Sequence, residues 1–158
     1  MTIITRLSRA TRLLSQDFRQ TWKTPRLLYL QLDKEFHFDH DPCPPETGTR
    51  LNGIFSDWGN SNYVNPPYGA PIASWLAKGV KEMKKGKTSV YLLPAYTDVA
   101  WFHEIVLRYA NEIRFVRGRL KFDDRPGNAP FASMIVIFSQ ELPSLLQHSD
   151  SQHRSSSS

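Results

Sequence analysis

The sequence predicts an α/β fold with a largely parallel sheet, built as one small domain. Two observations carry that expectation. Strand-length apolar segments alternate with segments of helical period. One of the strand segments, Ser89 to Leu93, reads as the continuous apolar run of a strand covered on both faces. The size agrees, because 158 residues with 40% hydrophobic and 22% charged content suffice for a single core.

Residues 1–21 read as a basic amphipathic helix or arm, with Leu7, Ala10, Leu14 and Phe18 at spacings of three and four and arginines mostly between them. The segment 22–140 forms the domain proper. Thr24-Pro25 has the chemistry of a helix start, threonine capping free amides and proline filling the first helical position. That helix carries Leu27, Leu28 and Leu32. A short strand, Phe36-His37-Phe38, is expected next, ending in Asp39-His40-Asp41-Pro42. Ser61 to Val64 is a second strand, and Pro66-Pro67 forces the chain out of the sheet after Asn65. Pro71 opens a helix whose apolar face is Ile72, Trp75, Leu76, Val80 and Met83, with Lys78, Lys81, Lys84 and Lys85 mostly off it. After the Ser89–Leu93 strand, Asp98 stands at an N-cap position before Phe102, Ile105, Val106 and Tyr109. Glu112 to Val116 and Met134 to Phe138 supply two further strands around a polar loop, Lys121 to Asn128. Residues 141–158 form a polar tail that ends in serines and is expected to be disordered.

The formal net charge of +5 is concentrated at one end. Residues 1–26 hold six basic side chains against Asp17, and the remainder balances at fourteen of each sign. A basic arm on a neutral body suits a polyanion or, equally, a solvated helix face. No apolar run is long enough to cross a bilayer. The single cysteine, Cys43, excludes an internal disulfide and makes the cytoplasm the expected compartment. Cys43 is expected to be a buried small residue. His37 and His40 near Asp39 and Asp41 do not complete a metal shell, so no metal is expected.

The chemistry concentrates at Asn65-Pro66-Pro67-Tyr68. An aromatic amine is a weak nucleophile because its lone pair is delocalised into the ring. Acceptors that hold both its hydrogens and favour a tetrahedral nitrogen free that lone pair. The Asn65 side-chain oxygen and the Pro66 carbonyl are such acceptors, on a turn stiffened by Pro66 and Pro67. Tyr68 is a flat ring able to stack on a base. Arg117, Arg119, Lys121 and Arg125, with Arg114 close by, form a second basic cluster that either contacts phosphates of a polyanion or is plainly solvated. Trp101 and Phe102 are expected in the core, whereas Trp58 either packs or walls a pocket.

These motifs have companions. Trp22-Lys23-Thr24-Pro25, Phe38-Asp39-His40-Asp41-Pro42-Cys43, Leu92-Leu93-Pro94-Ala95, Thr97-Asp98-Val99-Ala100-Trp101-Phe102 and Gly118-Arg119-Leu120-Lys121-Phe122 flank the Asn-Pro-Pro-Tyr box. In this order, from about Trp22 to Phe138, the chain resembles the phage-associated DNA N-6-adenine methyltransferases of the Dam type. The resemblance implies a Rossmann-like methyltransferase fold, S-adenosylmethionine as cofactor and double-stranded DNA as partner. It also implies that Trp22, Thr24, Pro25, Asp39, Asp41, Pro42 and Asn65 border the cofactor, and that Asn65, Pro66, Pro67 and Tyr68 form the catalytic centre. No Gly-x-Gly lies near Asp39, and 23 residues separate Asp41 from Asn65, a short span for the nucleoside-binding part of such a fold. Two alternatives follow: a protein glutamine methyltransferase, since the tetrapeptide can hold a planar amide, and a DNA-binding or anti-restriction module without turnover.

Overall fold

A computed structural model describes residues 22–44, 52–123 and 126–140. The expected basic arm, the tail and Arg125 lie outside the described residues. Helix α1 spans Arg26–Phe36 and a short helix α2 spans Asn52–Phe55. Strand β1 (Ser61–Val64), helix α3 (Ile72–Lys84) and strand β2 (Thr88–Pro94) follow. A π-helical turn, Phe102–Val106, runs into the short helix α4 (Leu107–Tyr109), and β3 (Glu112–Phe115) and β4 (Ser133–Phe138) complete the sheet.

The four strands lie in the order β1-β2-β4-β3. Strands β1 and β2 are parallel, Tyr63 opposite Val90, and α3 connects them. The largely parallel sheet expected from the sequence is not what forms, because β4 runs antiparallel to both β2 and β3. The β2 run from Ser89 to Leu93 is buried as expected, and every residue of β4 from Ser133 to Phe138 is enclosed as well. A continuous apolar run reports cover on both faces, not direction. Direction is set by the connection. The chain leaves β3 at Phe115 and returns along β4 from Ser133, with Val116 N–H donating to the Ser133 carbonyl at the same end. Without a crossover helix the returning strand must be antiparallel.

Helix α3 buries the face that its periodicity indicates: Ile72, Trp75, Leu76 and Val80. Each fully buried side chain of this size stabilises by about 1.5–3 kcal/mol relative to exposure. Gly79 sits on the same face for a steric reason. A Cβ there would fall 2.1 Å from the Tyr91 hydroxyl, which donates to the Trp75 carbonyl at 2.7 Å. Glu82 is wholly buried although charged, and Lys78, Lys85 and Lys87 close on it at 2.8–3.0 Å. Burial pushes this carboxyl up, but the three lysine hydrogen bonds outweigh it and hold the group at about 2.

Two further expectations change, and one left open is decided. His37 adopts a left-handed conformation (φ 51°) that ends α1, so Phe36-His37-Phe38 is no strand; the remnant is an isolated parallel bridge from His40 to Asn62. Thr24 does not cap α1. Pro25 holds the N-cap position, and the carboxylate of Asp123 accepts from the Arg26 amide at 3.1 Å. Trp58 is a core residue, packed near Trp75 and Tyr91, with its indole N–H on the Gly53 carbonyl at 2.7 Å. Phe102 and Cys43 are buried as expected, and Trp101 packs partly buried against the core.

Candidate active site

The Asn65-Pro66-Pro67-Tyr68 turn leaves β1 at the end of the sheet where β2 also finishes, since the two strands are parallel. Gly69, at φ 117°, turns the chain out of the box into α3. Pro66 and Pro67 are buried, and Asn65 is half-buried.

The orientation of the Asn65 side chain is fixed by what surrounds it. Its Nδ2 donates to the Trp22 carbonyl and, at 3.1 Å, to Thr24 Oγ1. A backbone carbonyl only accepts, so the nitrogen must face Trp22 and the oxygen must face away. That oxygen, Oδ1, is enclosed and has no hydrogen-bond partner. Leaving a buried acceptor unpaired costs about 1–3 kcal/mol.

Thr24 joins this amide to a neighbouring cavity. Its hydroxyl lies 2.7 Å from the Tyr63 hydroxyl, and both residues line a cavity of about 320 Å³ with Lys23, Arg26, Tyr29, Asp41 and Asp123. Strand alternation puts Tyr63 and Asn65 on the same side of β1. The Tyr63 ring is buried edge-on to Tyr29 and tilted against Phe38. Burial pushes its phenol well above the usual tyrosine range; the Thr24 hydrogen bond works against the rise and the Asp41 charge adds to it. The phenol is therefore neutral throughout the physiological range.

The remaining expected residues separate into groups. Asp41 lines the cavity, and one of its oxygens accepts from the Cys43 amide at 2.8 Å. Asp39 instead accepts from the backbone amides of Asn60 and Ser61, each at 3.1 Å, bracing the start of β1. Pro42 is buried beside Gly53, where a Cβ would lie 1.9 Å from the Pro42 carbonyl oxygen. The Trp22 ring packs on Phe122 and Phe131, at centroid distances of 5.1 and 5.2 Å. Tyr68 is only 4% exposed, with its ring edge-on to Phe131 at 5.5 Å, and burial pushes its phenol up. Tyr96, which the sequence reading passed over, meets the same Phe131 at 6.3 Å and is 44% exposed.

Arg117, Arg119 and Lys121 are exposed on the segment that returns from β3. That segment is pinned near Asn65 by Phe122 and by Asp123, whose amide donates to the Lys23 carbonyl at 3.1 Å. Arg114 does not share their setting. It holds Glu35 with two hydrogen bonds of 2.6 and 2.7 Å and Glu112 with two of 2.6 and 2.8 Å, which raise its pKa further. Among the described residues, no three His, Cys, Asp or Glu side chains gather as for a metal, and no helix is long and apolar enough to cross a membrane.

The Asn65 amide and the cavity beside Thr24 thus adjoin at the end of β1. The family model for DNA N-6-adenine-methyltransferase (Dam) matches residues 11–147, and the chain belongs to that family. It is also similar to the DNA N-6-adenine-methyltransferase of Haemophilus phage HP1 (strain HP1c1), being 27% identical over 144 residues, which cover 79% of this chain and 82% of the phage protein. The chain is thus an enzyme of DNA adenine methylation, with DNA as substrate and a methyl donor implied by the transfer.

Proposed function

We propose that the chain moves the methyl group of S-adenosylmethionine to the exocyclic amine of an adenine turned out of double-stranded DNA. The observation that carries this reading is the unpaired Asn65 Oδ1, whose direction is fixed by Trp22 and Thr24. Oδ1 accepts one amine hydrogen and the Pro66 carbonyl accepts the other. Together they draw the nitrogen toward a tetrahedral geometry and free its lone pair. The stiff Pro66-Pro67 turn limits the motion lost when the base arrives. Tyr68, held edge-on to Phe131, is the ring assigned to the base. The proton leaves the methylated nitrogen to water, so no general base is required.

The cavity beside Thr24 fits the donor. Its volume of about 320 Å³ lies in the range of small-molecule sites, about 300–1,000 Å³. Its lining supplies cations (Lys23, Arg26) for a carboxylate, anions (Asp41, Asp123) for an ammonium or ribose hydroxyls, and the rings of Tyr29 and Tyr63 for a base. When bound, S-adenosylmethionine supplies a methyl group already activated on a positively charged sulfur. Asp39, Pro25 and Pro42 lie outside the cavity lining: Asp39 braces the start of β1, Pro25 starts α1 and Pro42 packs at Gly53. The parallel β1–α3–β2 unit, extended by the His40–Asn62 bridge, supports a Rossmann-like ancestry for the sheet. Arg117, Arg119, Lys121 and Arg125 contact the phosphates flanking the displaced adenine.

The test is direct. Purified protein is incubated with radiolabelled S-adenosylmethionine and unmethylated bacterial DNA, the DNA is digested, and the labelled nucleoside is identified, with Asn65→Ala in parallel. Labelled N6-methyladenine from the wild type and none from the variant is the expected result. Undiminished labelling by Asn65→Ala would remove Asn65 from the mechanism.

A further inference from the structure

We propose that Thr24 and Tyr63 act as positioning residues for the Asn65 amide, forming a hydroxyl relay that sets which of its two atoms meets the substrate. The inference deepens the assignment of Asn65 as amine acceptor and rests on it. An asparagine amide can rotate by half a turn with little change in shape, and the rotated form would present a donor to the adenine amine, which needs an acceptor. Two groups oppose that rotation. The Trp22 carbonyl only accepts, so a rotated amide would set oxygen against oxygen there. Thr24 Oγ1 differs, because a hydroxyl both donates and accepts, and its hydrogen turns to suit its neighbours.

Tyr63 removes that freedom. Its hydroxyl lies 2.7 Å from Thr24 Oγ1, and whichever of the two donates, that bond leaves a Thr24 lone pair for Asn65 Nδ2. If Tyr63 donates, the Thr24 hydrogen stays free, so the relay requires Thr24 to be the donor to Tyr63. If Thr24 donates, its hydrogen is committed to Tyr63 and cannot turn toward the amide. The relay is rigid because the Tyr63 ring is 2% exposed, 5.0 Å from the Tyr29 ring and 5.4 Å from that of Phe38. Thr24 and Tyr63 also line the cavity assigned to the donor, so one pair of hydroxyls borders both halves of the reaction.

Steady-state kinetics of the full chain on adenine-containing duplex DNA, with S-adenosylmethionine binding measured separately by equilibrium dialysis, test the relay. Tyr63→Phe and Thr24→Val are expected to lower kcat by about tenfold to a hundredfold, the scale set by small misplacements of reacting groups. Donor affinity is expected to change far less than kcat, and Thr24→Ser, which keeps the hydroxyl, is expected to recover the rate. A kcat that survives at saturating donor while donor affinity falls would overturn the proposal and leave the pair as cavity wall only. Should Thr24→Val fail to fold, Tyr63→Phe decides alone, because it removes one oxygen and keeps the ring packing. Full activity in Asn65→Ala would sink the parent reading, whereas an inactive Asn65→Ala beside unimpaired Tyr63→Phe and Thr24→Val sinks the relay alone.

Discussion

The backbone amide of Arg26 donates to the carboxylate of Asp123, 97 positions further along the chain and 3.1 Å away. Through this bond the start of α1 is capped by a residue only two positions beyond Lys121. The wall of the cavity and the exposed basic segment are thereby one mechanical piece. Asp123→Ala removes a helix cap and is expected to cost about 1 kcal/mol in chemical denaturation. Because the same change loosens the cavity wall and the basic segment together, it is also expected to weaken donor and DNA binding in parallel, read by titration of each ligand.

Arg119→Ala and Lys121→Ala are expected to weaken DNA binding at all sequences alike. Each is expected to flatten the dependence of log affinity on log salt by about one unit of slope, the signature of one lost phosphate contact. Arg114→Ala serves as the comparison. Its guanidinium is already held by Glu35 and Glu112, so its removal leaves the salt slope unchanged. Binding titrations across a salt series separate the two outcomes.

The Arg114–Glu35 pair ties the last turn of α1 to β3 across a partly exposed surface. A double-mutant cycle on this pair is expected to give about 0.5–1 kcal/mol, falling as salt is raised, as for exposed ion pairs with good geometry. A cost of Arg114→Ala that persists at high salt while the coupling vanishes would show that its contact with Phe36, 5.5 Å from the guanidinium, carries that cost.

Glu82 predicts a pH dependence with a definite sign. Its ordinary value is 4.5, and in the folded chain it is held at about 2. A depressed carboxyl stabilises the fold fully above its unfolded value and loses that contribution as pH falls through the folded one. The stability difference between the wild type and Glu82→Gln is therefore expected to be flat above about pH 5. It should shrink between about pH 4.5 and 2, with a total on the order of 3 kcal/mol. Denaturant melts at a series of pH values measure it. A difference that is the same at pH 3 and pH 7 would show that the lysines do not hold the charge.

Gly79→Ala is expected to destabilise by about 2 kcal/mol or more, because the new methyl meets the Tyr91 hydroxyl and displaces its bond to Trp75. The companion change Tyr91→Phe clears that oxygen, so the double variant should be more stable than Gly79→Ala alone. Thermal unfolding of the three variants checks the order.

Much of this was readable before any coordinates, for reasons that individual residues make plain. Paired prolines after Val64 end a strand wherever they fall, and the α3 face from Ile72 to Val80 follows from helical period alone. What stayed hidden depends on partners far away in sequence. The direction of β4 is set by how its connection runs, and nothing in the apolar run 134–138 encodes it. Thr24 looks like a cap because threonine before Pro25 has that chemistry. Only the folded chain brings Tyr63 and Asn65, 39 and 41 positions later, close enough to engage its hydroxyl instead. Glu82 lies among surface lysines in the sequence, and its burial emerges only when Lys87 folds back on the helix end. A signal for Tyr63 did exist. It stands two residues before Asn65 on a strand, which puts both side chains on one side.

The position of β4 bears on how the protein is made. It lies between β2 and β3 yet is the last of the four strands in the chain. As synthesis proceeds, β1 and β2 can pair around α3, but β3 has no neighbour until Ser133 to Phe138 has left the ribosome. Until then β2 and β3 both present unpaired amides and carbonyls, the condition under which strands join between chains. A product that stops short of residue 133 is accordingly a candidate for inclusion bodies, however complete its Asn-Pro-Pro-Tyr box.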